Sequence, residues 1–102
     1  MTSAIGVTVK IVLNEKGDPP GKVADAELHF TAGPLKGLKL IGFNVWARGA
    51  TGYHVTFPAR LYTVKGSRRS FTLLRPLVDP AAANGVRDLI LRAYAEVDAA
   101  AV

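Results

Sequence analysis

Cysteine is absent from this chain, which removes disulfides, thiolate metal sites and cysteine nucleophiles together. Long apolar runs are missing too, and the N-terminus lacks a basic stretch leading into an apolar one, so neither a membrane span nor a secretory leader is expected. The third absence is the most informative. Between Glu27 and Asp79 there is no Asp or Glu, while Lys36, Lys39, Arg48, Arg60, Lys65, Arg68, Arg69 and Arg75 all fall inside. The net charge of +5 thus comes from the middle of the chain, since the parts before and after it are slightly acidic. Such segregation predicts an electropositive face, and anionic partners, nucleic acid above all, for a chain of isoelectric point about 9.9. The expected location is the cytoplasm.

What is present is ordinary for a globular fold. With 102 residues, 49% hydrophobic and 21% charged, the chain is the size of one domain with one core, expected between residues 4 and 97. Ile5 to Leu13 alternates, with Ile5, Val7, Val9, Ile11 and Leu13 on one face, which predicts a half-buried strand. Residues 14 to 21 read as a turn. Val23 to Thr31 predicts a second strand, with Ala24, Ala26, Leu28 and Phe30 opposite Asp25, Glu27 and His29. Leu38 to Ala47 predicts a third that is apolar on both faces, Ile41, Phe43 and Val45 on one and Leu40 and Trp46 on the other, with Gly42 marking a bulge.

Tyr53-Val55-Phe57 opens a fourth strand, and Pro58, which cannot donate to a ladder, belongs at a bend or edge. Leu61 to Val64 and Ser70 to Leu74 are then the arms of a long basic hairpin turning at Gly66. Asp79 is a good helix N-cap and Pro80 suits the first helical position. Val86, Leu89, Ile90, Ala93, Tyr94 and Val97 follow at helical spacing, predicting a helix that covers the sheet and frays from Asp98. The fold class is therefore α+β, an antiparallel sheet of about five strands with a basic hairpin and one C-terminal amphipathic helix.

Chemistry-bearing patterns are few. His29 and His54 lack metal-ligand spacing, no acid between residues 28 and 78 could orient His54, and both read as strand histidines. Asp25 and Glu27 share a solvated strand face. Gly49-Ala50-Thr51-Gly52 precedes a strand, so a turn suits it better than a phosphate loop. No catalysis, cofactor, metal or small-molecule substrate is expected. The acid-free segment holds seven of the eight aromatic residues, and basic grooves interleaved with rings neutralise phosphates and stack on bases. Phe43, Phe57 and Phe71 alternate as core residues. Trp46, Tyr53 and Tyr62 suit core, dimer interface or stacking platform alike. The candidate phosphate contacts are Arg60, Lys65, Arg68, Arg69 and Arg75, with Trp46 and Tyr62 the candidates for stacking.

The order of these pieces resembles the SpoVG family (stage V sporulation protein G), small bacterial regulators, over about Ile5 to Val97. The likeness lies in Val12-Leu13-Asn14-Glu15-Lys16-Gly17 after the first strand, in Phe43-Asn44-Val45-Trp46, and in the glycine turn leading to residues 53 to 60. It continues through Arg75-Pro76-Leu77-Val78 and the helix segment from Asp88 to Tyr94. The resemblance implies an antiparallel sheet with a C-terminal helix, homodimers formed by strand pairing, and binding of DNA or RNA without catalysis. Arg60 matches the family's basic position after Pro58. The chain departs from the family at the start of the helix, where Ala82, Ala83 and Gly85 replace basic residues implicated in DNA contact, and only Arg87, beside Asp88, lies near. Any nucleic-acid binding would then fall to the hairpin. The alternative is an assembly module that oligomerises by strand pairing and has lost such binding.

Overall fold

The computed structural model describes residues 2–49 and 52–100. Its centre is a five-stranded antiparallel sheet in chain order, formed by β1 (Ser3–Ala4), β2 (Val7–Leu13), β3 (Lys22–Phe30), β4 (Lys39–Ala47) and β5 (Tyr53–Thr56). One helix, α1 (Ala81–Ala100), packs on one face. A separate two-stranded hairpin, β6 (Ala59–Val64) and β7 (Ser67–Thr72), lies between them in sequence. The expected α+β class is the observed one.

Alternation places Val9 of β2, Ala24, Ala26 and Leu28 of β3, Phe43 and Val45 of β4 and Val55 of β5 on the buried face. Leu89, Ile90, Ala93 and Tyr94 of α1 close over them. Phe43, Ile90, Val45 and Val55 are the largest fully buried side chains, and burying each one stabilises the fold by about 1.5–3 kcal/mol. Phe57 packs edge-on against Phe43, ring centroids 5.2 Å apart, and Tyr53 likewise against Tyr94 at 4.9 Å. The helix touches both β2 and β5 although two strands separate them, so the sheet curls around it.

Two bulges help that curl, because an extra residue on one strand bends it and increases its twist. One sits in β4, where Leu28 pairs with Leu40 but Ala26 pairs with Phe43. Gly42 lies inside it with φ of +105°, a backbone few side chains adopt. This is the bulge expected at Gly42, and it also corrects the expected faces. Leu40 packs on the core with Phe43 and Val45, while Ile41 is turned outward and is 58% exposed.

Ile5 differs from expectation as well. It is not in the strand but in the tight turn joining β1 to β2, beside Gly6 at φ +82°, and it is fully exposed. Pairing of Ser3 with Thr8 and of Ala4 with Val7 folds the chain back one residue too early for Ile5 to reach the core. The helix begins as expected: Ala81 N–H donates to Asp79 Oδ1 at 2.9 Å, and Pro80 occupies the first turn. It continues through Ala100 rather than fraying from Asp98, and residues 101 and 102 of the expected tail lie outside the described residues, as do 50 and 51 of the glycine turn. Among the described residues no helix is long and apolar enough to cross a membrane.

Candidate nucleic-acid interface

The hairpin turns at Lys65-Gly66, both with positive φ (49° and 81°), between the paired residues Val64 and Ser67. Two left-handed residues in a two-residue loop match the right-handed twist of the strands they join. Gly66 adopts this backbone freely, whereas Lys65 bears a modest strain. Register then decides which side chains meet. Arg60 faces Phe71, Tyr62 faces Arg69 and Thr63 faces Arg68. Paired residues share a face and alternate along each strand, with directly opposed Cβ atoms about 5 Å apart.

One face of the hairpin thus carries Arg60 and Phe71, then Tyr62 and Arg69, a checkerboard of guanidinium and ring. Arg75, beyond the end of β7, extends it, its guanidinium carbon 4.6 Å from the centre of the Phe71 ring. Arg68 lies on the opposite face with Leu61, Thr63 and Ser70, and Lys65 sits at the tip. The candidate residues therefore divide into Arg60, Arg69 and Arg75 together, Arg68 behind them, and Lys65 at the turn.

Every residue of β6 and β7 is exposed. Phe71, whose alternation suggests a core residue, is 48% exposed, because β6 and β7 pack chiefly on each other. Leu61 on the other face is 70% exposed. Trp46 stands elsewhere. It is half-buried on β4, and its indole Nε1–H donates to Thr56 Oγ1 of β5 at 2.9 Å.

Outside the hairpin, opposite charges meet at two places on the sheet. Lys22 Nζ meets Asp25 at 2.6 Å, and Glu27 Oε1 receives His29 Nε2 at 2.9 Å and Lys39 Nζ at 3.4 Å. The His29 hydrogen bond chiefly, with help from Lys39, holds the Glu27 carboxyl below its ordinary range despite some desolvation. Among the described residues, Arg60, Lys65, Arg68, Arg69 and Arg75 have no carboxylate partner. The two histidines are well separated: His54 lies two strands across from Lys22, which is roughly 20 Å along β3 from His29.

One basic residue takes a place that the sequence reading did not give it. Arg87 turns away from Asp88, stacks over the Phe57 ring at 5.2 Å and donates to Asn84 Oδ1 at 2.6 Å. The signal was there in the spacing, since Ala83, Arg87, Ile90 and Tyr94 follow one another at helical intervals along the flank of the buried stripe. No protein-family model, curated protein or solved structure matches this chain.

Proposed function

We propose that this chain is a non-catalytic, nucleic-acid-binding regulatory protein of the SpoVG type, acting as a homodimer in the bacterial cytoplasm, and that it grips DNA or RNA with one face of its hairpin. The observation that carries this reading is the checkerboard of Arg60, Phe71, Tyr62 and Arg69 with Arg75 stacked on Phe71, none of these cations having an acid partner among the described residues. Guanidinium groups neutralise backbone phosphates, and exposed rings between them offer a surface for unpaired bases. The spacing of charge and ring favours a single strand over a duplex, because a duplex hides its base faces.

Fluorescence anisotropy with single- and double-stranded oligonucleotides at two salt concentrations tests this. Three phosphate contacts on a single strand predict a slope of log K against log salt of about −2. No binding to either oligonucleotide at low salt would sink the proposal.

A second reading has its own support. A lone two-stranded hairpin is marginal in water, and this one exposes Leu61 on one face and Tyr62, Val64 and Phe71 on the other. A second copy pairing with the hairpin would cover them, so the chain would be an assembly module. Light scattering that gives a salt-insensitive oligomer, together with a flat anisotropy titration, would favour that reading.

A further inference from the structure

Where the hairpin leaves the sheet, a cleft of about 490 Å³ opens between β5, the root of the hairpin and the first turns of α1. We propose that this cleft is a binding site for a phosphate monoester, of the kind borne by a mononucleotide or by the 5′ end of a nucleic-acid strand. Its polar walls are Arg75 from the segment after β7, Arg87 from α1, His54 and Thr56 from β5, and Ser70 and Thr72 from β7. Among the described residues no acid lines it: neither Asp79 nor Asp88, the nearest in sequence to Arg75 and Arg87, contributes to the wall.

Both guanidinium groups are held in place before any ligand arrives, Arg75 by the Phe71 ring and Arg87 by the Phe57 ring and Asn84. Arg87 gives one hydrogen bond to Asn84 and Arg75 has no carboxylate partner among the described residues, so most of their ten N–H donors stay available. A planar guanidinium matches two phosphate oxygens at once, and serine and threonine hydroxyls complete the remaining acceptors. Charge matching separates a monoester from a backbone diester. A monoester carries nearly two negative charges at neutral pH, equal to the two guanidiniums, whereas a diester carries one.

Val55, Phe57, Ala59, Leu74, Pro76 and Ala83 supply the rest of the wall. Apolar walls strengthen the ion pairs, and the volume falls in the range of sites that hold a molecule larger than phosphate itself. The cleft shares Arg75, Ser70 and Thr72 with the hairpin, but Arg60, Lys65, Arg68 and Arg69 do not line it.

Isothermal titration calorimetry of the full chain tests the site with inorganic phosphate, a 5′-mononucleotide, the matching nucleoside, and one oligonucleotide with either a 5′-phosphate or a 5′-hydroxyl. Phosphate-bearing probes should bind and the nucleoside should not. Arg75→Gln and Arg87→Gln, checked for folding by circular dichroism, should each weaken binding by about ten- to a hundredfold, the worth of a charge-assisted hydrogen bond, while Lys10→Gln, on β2 and outside the cleft, should leave it unchanged. Tightest binding of the mononucleotide identifies a free nucleotide as the source, and tightest binding of the 5′-phosphorylated strand identifies a strand end. Equal binding of both oligonucleotides, with no heat from phosphate or the mononucleotide, would overturn the site even if the hairpin binds nucleic acid. Unchanged affinity in both folded glutamine variants would overturn it as well.

Discussion

Gly42→Ala is the sharpest probe of how the hairpin is positioned. Gly42 lies in the β4 bulge at φ +105°, and a methyl group there would meet the Pro58 Cβ at 2.9 Å and its Cα at 3.5 Å. Pro58 is buried and begins the turn out of β5 toward the hairpin, and its ring cannot swing aside. Two costs therefore add. A non-glycine residue at this φ costs about 1–3 kcal/mol, and forcing a methyl against a rigid buried ring costs about 1–3 more. Loss of glycine's freedom in the unfolded chain offsets about 0.4–1 kcal/mol. The net destabilisation is about 1–5 kcal/mol, with about 3 at the centre, a large part of the stability of a domain this size.

Gly33 separates the two costs. It also has positive φ, +77°, but no described residue lies within 4 Å of a methyl placed on it. Gly33→Ala should bear only the backbone cost. By calorimetry or thermal circular dichroism, Gly42→Ala should melt about 12–24 °C below the wild type, from about 3 kcal/mol at about 4–8 °C per kcal/mol, and well below Gly33→Ala. If the two alanine variants melt together, the close approach of Gly42 to Pro58 does not constrain the fold and the reasoning fails.

The remaining predictions concern the helix and the hairpin. Asp79→Ala removes the acceptor for the Ala81 N–H and should cost about 1 kcal/mol in urea unfolding, an effect that Asp79→Ser should largely restore. Burial, then the charge of Asp98 and the neighbouring Tyr53, push the Tyr94 hydroxyl up from 10.0 to about 12. The folded chain therefore keeps that proton after the unfolded chain has lost it, so stability is complete below pH 10 and falls between about pH 10 and 12. The loss should approach about 2 kcal/mol, and Tyr94→Phe should abolish this alkaline slope in denaturant titrations. On the hairpin, Arg69→Glu should weaken oligonucleotide binding more than Arg68→Glu, because the two arginines point to opposite faces, and equal losses by anisotropy would argue against a one-faced interface.

Local rules written in short stretches of sequence carried over to the structure. The helix stripe from Val86 to Val97, its cap at Asp79 and the alternation of β3 each depend on neighbours a few residues apart, so they are legible without a fold. Gly42 was legible as a bulge for the same reason. Which residues the bulge turns outward was not, because the face of Ile41 follows from the register of β4 against β3. Ile5 escaped for a similar reason: its alternation continues that of β2, and only the pairing of Ser3 and Ala4 with β2 shows that the strand has already turned.

The candidate site divides along the same line. Composition alone shows that the middle of the chain holds eight bases and no acid, a property of the list of residues that needs no coordinates. Which of them stand together is a matter of cross-strand pairing, which sets Arg60, Arg69 and Arg75 beside two rings and sends Arg68 to the other face. Bringing Arg87 to the root of the hairpin takes more still. Residues 75 and 87 come from different elements and meet at one cleft only because α1 folds back over the curled sheet. The sequence by itself determined the helix, the strands and a surplus of positive charge. Tertiary packing decided where that charge is concentrated, because a face or a cleft is shared by residues distant in the chain and no local spacing encodes it.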